Sequence, residues 1–298
     1  MNQGGIPVFF IASKDLIEVM CVAVSSLLAN SSKLVDLYFM DCDLLETHRK
    51  ALRRMCRSYA ACGNMEFLRI DVEKEFFGMD RYNGFLDTWA RISIPRLAPD
   101  VNRGIYLDND VVVLGDISEL WAENLNGHAI GCAIEIGVKA SEYPLYMKML
   151  KLSKNDKYTI FNNGVILMDF DKYREQGIEE KLKKTARDSA GKLWLADLAA
   201  MNMVFGDRYK ILEQRYNISC RKNYAREIPQ AAWLAERISE EYISAELNQA
   251  VIVHFSPQKP WRSLAGESGG SMRYFNEFWA FAKNTPYFES LQWRFIHG

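Results

Sequence analysis

Tyr106-Leu107-Asp108-Asn109-Asp110-Val111-Val112-Val113-Leu114 sets two carboxylates one residue apart inside an otherwise apolar run. Arg103 to Leu107 reads as a buried strand. Side chains alternate along an extended chain, so Asp108 and Asp110 are expected on one side and Asn109 on the other. A solvated turn would have polar flanks. Here Ile105, Tyr106 and Leu107 precede the triplet and four aliphatic residues follow it, which places the pair at the edge of a buried sheet, where uncompensated carboxylates are costly. At the C-terminal end of a parallel strand, where open α/β sheets bind ligands, such a pair calls for a cation. Hard oxygen donors suit Mg²⁺ or Mn²⁺, with positions left open for the oxygens of a diphosphate.

The residues before this stretch support a parallel sheet. Pro7 to Ala12 (PVFFIA) reads as a strand, Leu16 to Ala29 as an apolar-periodic helix and Leu34 to Met40 as a second strand. Glu46 to Ala60 follows as a helix with a polar face, and Met65 to Ile70 as a third strand. Strand, helix, strand, helix, strand implies parallel pairing. Beyond a polar connection around Gly78 to Gly84, Thr88 to Leu97 has helical spacing. Ala129 to Ile134, Val165 to Met168 and Val251 to His254 are further short strands, with helices over Ile178 to Asp188 and Asp197 to Phe205, so the same sheet is expected to continue past the midpoint. From Ser271 onward aromatics dominate. Phe275, Phe278, Trp279 and Ala282 fall at helical spacing, which fits a helix packed on the core or one resting on a membrane. Glu277 and Glu289, with few basic residues, favour packing.

The 298-residue chain is 49% apolar and 25% charged, an ordinary globular composition, and a net charge of −1 gives no basic field for nucleic acid or anionic lipid. Six scattered cysteines form no CxxC pair and read as reduced thiols in a cytoplasmic protein. Ile6 to Ala12 lacks the basic flank and length of a signal peptide, and no run reaches the ~18 apolar residues that a membrane span requires.

Five blocks in order, Trp89-Ala90-Arg91-Ile92, Tyr106 to Leu120 (YLDNDVVVLGDISEL), Phe161 to Met168 (FNNGVILM), Asp197 to Phe205 and His254 to Trp261 (HFSPQKPW), resemble glycosyltransferase family 8, the retaining enzymes that include bacterial lipopolysaccharide hexosyltransferases and glycogenin. The resemblance implies a GT-A fold, a Rossmann-like and mostly parallel central sheet flanked by helices. It implies a catalytic domain over 1–262 with a helical, aromatic-rich extension over 263–298. The implied donor is a UDP-sugar, the implied cofactor Mn²⁺ with Mg²⁺ as the alternative, and the implied acceptor a glycan or glycolipid. Carried onto this sequence, Asp108, Asp110 and His254 bind the metal. Lys259 contacts the diphosphate, and Arg91, Asn162 and Asp197 serve catalysis at the donor sugar. Ala12, Ser13, Asp15, Asn109, Glu135, Asn163 and Leu198 complete the donor site, with Gly164 relaxing the backbone beside them. Taken alone, His254 after an apolar strand would be a hydrogen-bonded core residue, Lys259 a surface lysine and Arg91 a structural ion-pair partner; the motif context favours the site roles.

Three departures stand out. Leu198-Ala199 follows Asp197 where the family has Asp-Gln-Asp, and a leucine can act neither as nucleophile nor as cation stabiliser. Ala12-Ser13-Lys14-Asp15-Leu16 replaces Ala-Asp-Asp or Ala-Asp-Glu followed by Asn-Tyr, which removes the uracil-stacking tyrosine. Ser256-Pro257-Gln258 shortens the diphosphate loop. Two rival readings follow: a catalytically degenerate nucleotide-sugar or glycan binder, and a haloacid dehalogenase-type phosphatase, since Asp108-Asn109-Asp110-Val111-Val112 also fits a D-x-D-x-[TV] loop. Three βα-like units precede that loop here, against its usual place on a first strand.

Overall fold

A computed structural model describes residues 4–139, 148, 159–193, 195–220, 249–256, 258–262 and 272–297. Pro257 of the last motif block and residues 263–271 at the start of the C-terminal segment lie outside them. The strands are β1 (Ile6–Ala12), β2 (Val35–Asp41), β3 (Cys62–Arg69), β4 (Arg103–Leu107), β5 (Val111–Val113), β6 (Ile130–Lys139), β7 (Thr159–Asp169), β8 (Lys210–Ile211), β9 (Ile218–Ser219) and β10 (Ile252–His254). The α-helices are α1 (Ile17–Asn30), α2 (Glu46–Cys56), α3 (Val72–Glu75), α4 (Ile94–Leu97), α5 (Ile117–Ala122), α6 (Phe170–Glu175), α7 (Ile178–Asp188), α8 (Ala196–Phe205), α9 (Phe275–Ala282) and α10 (Phe288–His297). A 3₁₀ helix over Asp87–Ser93 leads into α4.

The main sheet runs β3-β2-β1-β4-β7-β6-β8. Pairing is parallel from β3 through β4 and between β6 and β8, while β7 runs antiparallel to both its neighbours. Helices cover both faces, so β1 reads as a continuous apolar run. Phe9 and Ile11 pack into the core on the side of Trp89 and α8, and Val8, Phe10 and Ala12 into the core on the side of α1.

β10 does not extend this sheet. It pairs antiparallel with β5 and parallel with β9 in a second, three-stranded sheet. The reason lies in the acidic stretch: the chain turns sharply at Asn109–Asp110, and Val111–Val113 leaves the main sheet to meet the strand that carries His254. Asp108 and Asp110 therefore stand on a turn after β4 and not along an extended strand.

α1 is apolar almost all round, as a helix buried on several sides must be. Ser26 Oγ accepts from Val113 N at 3.0 Å and Asn30 Nδ2 donates to Val113 O at 2.9 Å, which ties α1 to β5. The far side of α1 receives the C-terminal helices. Val19 and Val22 join Val112, Val253, Phe255, Trp261, Phe278, Ala282 and Leu291 in one apolar cluster. Phe278 lies 5.6 Å from Phe255 and 5.4 Å from Trp261 between ring centroids. Truncating this buried ring, Phe278→Ala, is expected to cost about 3–5 kcal/mol in a single unfolding transition, read by urea denaturation; a separate early transition would show that α9 and α10 fold apart from the rest. Trp293 and Ile296, 66% and 67% exposed, are the large apolar side chains that α10 leaves to solvent. No helix of the described residues is long and apolar enough to cross a membrane, and the six cysteines are free thiols.

Candidate active site

The turn after β4 is held from three sides. Asp108 N donates to Gly164 O of β7 at 2.7 Å, and Phe255 N donates to Asp110 O at 2.8 Å. Asn109 points the other way, its Nδ2 donating to Ile11 O of β1 at 2.8 Å. The two carboxylates consequently converge, as alternation along a strand would have required, although a tight turn does the work.

His254, the last residue of β10, faces them. Its Nε2 lies 3.1 Å from Asp110 Oδ1 and 3.7 Å from Asp108 Oδ2. One ligand atom from each of Asp108, Asp110 and His254 falls within 4.8 Å of the others. Lys259 Nζ donates to Asp110 Oδ2 and, at 2.7 Å, to Phe255 O. Burial works against charge on Asp110, but the Lys259 ammonium and the imidazole hold its carboxyl well below the usual carboxylate range. Burial likewise disfavours charge on His254, and the Asp110 carboxylate overcomes it and raises the imidazole above its ordinary value.

Arg91 lies beneath this cluster, 5% exposed, on the 3₁₀ helix. Its NH2 meets Asp108 Oδ1 at 3.1 Å and its Nε meets Asp197 Oδ2 at 3.1 Å. NH1 donates to Asn163 O at 2.7 Å and Nε to Thr88 O at 3.0 Å, and the guanidinium stacks 4.7 Å from the Tyr106 ring centroid. Burial pushes the Tyr106 phenol well up, so the hydroxyl keeps its proton and donates to Asp108 Oδ1 at 2.5 Å. Asn163 Nδ2 donates to Asp197 Oδ2 at 2.7 Å. Burial pushes the Asp197 carboxyl up, with Arg91 pulling it back.

Gly164 has an extended backbone and supplies space rather than conformational freedom. A Cβ there would overlap the His254 ring and lie 2.8 Å from Asp108 Oδ2. Two carboxylate oxygens, one imidazole nitrogen and a glycine that keeps the space between them clear fit a divalent cation.

Beside His254 a small cleft is lined by Ile134, Glu135, Asn162, Gln214, Asn217, Ser219 and Ser256. Asn162 Nδ2 donates to Glu135 Oε2, and Asn162 Oδ1 accepts from Gly164 N and from Asn217 Nδ2, each at 2.8 Å. The metal, Arg91, Asn162, Asn163, Asp197, Glu135 and Lys259 positions inferred from the sequence thus meet in one continuous network. Leu198 is half-buried one residue past Asp197, its carbonyl accepting from Asn202 Nδ2 at 3.0 Å. The N-terminal motif is not joined to that network by any hydrogen bond among the described residues. The Ala12 carbonyl accepts from Cys42 N at 3.0 Å, Ser13 is buried, Lys14 N donates to Asp43 at 2.8 Å and Asp15 is exposed. Beside Ser13, burial raises the Asp87 carboxyl against the pull of the Ser13 hydroxyl, and Asp43 and Asp15 add to the rise.

A family model described as glycosyl transferase family 8 matches residues 7–265. The chain belongs to glycosyltransferase family 8. General stress protein A of Bacillus subtilis is 27% identical to it over 244 residues, 80% of this chain and 81% of that protein. Glycosyltransferase GlyF of Streptococcus pneumoniae is 24% identical over 234 residues, 78% of this chain and 51% of GlyF, so the chain spans about half of that relative. The solved galactosyltransferase LgtC, in complex with donor and acceptor sugar analogs, matches with a TM-score of 0.76 at 21% identity, over 94% of this chain and 96% of LgtC. The family 8 chain therefore has the GT-A fold and is a glycosyltransferase. Membership sets aside the phosphatase reading of Asp108-Asn109-Asp110-Val111-Val112 as a coincidence of spacing.

Tyr106, Gln214 and Asn217 were not singled out by sequence reasoning. Tyr106 lies inside the decisive stretch but reads there as an apolar flank. Gln214 and Asn217 sit in a short polar 3₁₀ turn before the two-residue strand β9, with no periodicity to mark them. If Asp108, Asp110 and His254 hold a divalent ion, Gly164→Ala is expected to weaken its binding at least about tenfold while the fold survives, because the added methyl displaces His254 and Asp108 and no apolar core side chain. Calorimetric titration with Mn²⁺, beside a circular dichroism spectrum, checks it.

Proposed function

We propose that this glycosyltransferase moves a hexose, glucose or galactose, from a UDP-sugar to a glycan or lipopolysaccharide-type acceptor with retention at the anomeric carbon. The observation that carries the reading is the convergence of Asp108, Asp110 and His254 beside the Lys259 ammonium, at the end of β4. Asp108, Asp110 and His254 would hold a divalent ion that offsets charge developing on the leaving diphosphate, and a nitrogen among carboxylate oxygens favours Mn²⁺ over Mg²⁺. Lys259, tethered to Phe255 O, supplies a second positive charge to the diphosphate. Arg91 fixes Asp108 and Asp197 in place, and Asn162 and Glu135 present polar atoms to the sugar from the cleft beside His254.

No side chain on α8 is free to attack the anomeric carbon. Leu198 has no nucleophilic atom, and the Asp197 carboxylate is engaged by Arg91 and Asn163. Retention then proceeds on one face. The bond from the anomeric carbon to the diphosphate oxygen breaks, the acceptor hydroxyl oxygen forms its bond on the same side, and its proton passes to the departing phosphate oxygen. Free thiols at all six cysteines support a cytoplasmic place of action, with the exposed Trp293 and Ile296 as the part that would touch an inner membrane face.

Leu198 also motivates the rival reading of a binder that does not turn its ligand over. The test is a panel of UDP-, GDP- and ADP-sugars incubated with and without Mn²⁺, with released hexose followed by proton NMR. Mn²⁺-dependent release of the α-anomer from UDP-glucose or UDP-galactose is expected. Tight nucleotide-sugar binding with no release from any donor would establish the binder, and initial release of the β-anomer would sink retention.

A further inference from the structure

We propose that Asn217 is a positioning residue that fixes the tautomer of His254, and that Asn162 and Glu135 fix Asn217 in turn. The proposal rests on the metal-site reading above.

The argument begins at two groups whose hydrogen-bonding sense is not open to choice. An ionised carboxylate such as Glu135 only accepts, and the backbone N–H of Gly164 only donates. Asn162 lies between them. Its Nδ2 faces Glu135 Oε2 and its Oδ1 faces Gly164 N at 2.8 Å. Turning that amide over would set donor against donor at one end and acceptor against acceptor at the other, so its orientation is determined twice. Asn162 Oδ1 takes a second bond from Asn217 Nδ2 at 2.8 Å. That settles Asn217 as well, because its flipped amide would bring two oxygens together.

Asn217 Oδ1 must then be the atom 3.1 Å from His254 Nδ1. An amide oxygen can only accept, so Nδ1 carries a proton. That leaves Nε2, 3.1 Å from Asp110 Oδ1 and 3.7 Å from Asp108 Oδ2, as the nitrogen that can exchange the proton it shares with Asp110 for a bound cation. A metal-ligating histidine commonly donates its other ring N–H to an outer group that fixes the tautomer and ring orientation. Here that group is an amide whose own polarity is dictated from Glu135 and Gly164. Asn217 is 5% and His254 4% exposed, so bulk water is not at hand to replace the contact. Gln214 Nε2 holds the backbone of the same residue, donating to Asn217 O at 3.0 Å and to Ile134 O at 3.3 Å.

The experiment uses the full chain and Mn²⁺ alone, with free Mn²⁺ read by electron paramagnetic resonance. The unsubstituted protein is titrated first; if it binds no Mn²⁺, the metal reading itself fails and the proposal falls with it. Given binding, Asn217→Leu is expected to weaken the affinity by about tenfold to a hundredfold, the usual effect of losing an outer partner of a ligand histidine. Asn217→Asp keeps an acceptor at Nδ1 but sets an oxygen against Asn162 Oδ1, so it is expected to recover only part of that loss. A folded Leu variant that binds Mn²⁺ as well as the unsubstituted protein overturns the proposal. Nitrogen-15 NMR of the Mg²⁺-loaded unsubstituted protein reads the ring directly and needs no variant. Protonated Nδ1 with unprotonated Nε2 on His254 is expected, and the opposite tautomer ends the proposal.

Discussion

Asp110→Asn is expected to lower Mn²⁺-dependent hexose release from the accepted donor by at least about 10²–10³-fold, the scale of removing one preorganised electrostatic group from an active site. Asp110 serves two partners with its two carboxylate oxygens, His254 Nε2 with Oδ1 and Lys259 with Oδ2. Asparagine halves the anionic charge of the pair and offers one oxygen where two are in use. Its backbone role is untouched: the carbonyl still accepts from Phe255 N, so β5 and β10 stay paired and the fold is expected to survive. The comparison is made at saturating donor with the folded variant verified by circular dichroism. A rate equal to that of the unsubstituted protein would remove the metal assignment from Asp110.

Arg91→Met should unfold more easily by about 3–5 kcal/mol, the cost of breaking a buried ion pair by deleting one partner. Arg91 is the cation between Asp108 and Asp197, and it also caps the carbonyls of Thr88 and Asn163. A methionine fills the space and satisfies none of the four acceptors. Arg91→Lys is expected to recover only part of the loss, because a single ammonium cannot reproduce the planar fork that reaches all of them. Urea denaturation of the three proteins at neutral pH decides the matter. A loss below about 1 kcal/mol for the methionine variant would mean that water reaches Asp197 in the folded state.

The site was legible where charge interrupts an apolar run and blurred where polar residues sit among polar residues. Asp108, Asp110 and His254 each end or interrupt a strongly apolar strand, and such breaks are visible in sequence. The same logic located the helix at Ile178–Asp188, whose 3.6-residue spacing is regular, and placed β1, β2 and β3 within a few residues. Asn217 has no such contrast, and its importance comes from a partner 37 residues away in sequence. The second sheet was hidden for a related reason. Val251 to His254 looks like any short buried strand, and only the turn at Asn109–Asp110, which swings β5 out of the main sheet, determines what it pairs with. Antiparallel β7 escaped too, since strand direction depends on connections that periodicity does not record.

The pairing of β5 with β10 has a consequence for the order in which the molecule is completed. Lys259 stands 149 residues beyond Asp110, shortly after the late strand β10 that ends on His254. A chain made from its N-terminus gathers the β1-to-β4 half first, while contacts of such long sequence separation form last. Until β10 docks, Asp108 and Asp110 have Arg91 and the Tyr106 hydroxyl on one side and nothing from the C-terminal third on the other. The Asp108–Asp110–His254 cluster is thereby a property of the finished polypeptide, and a nascent chain released short of Val251 would carry the whole acidic motif without its imidazole and ammonium partners.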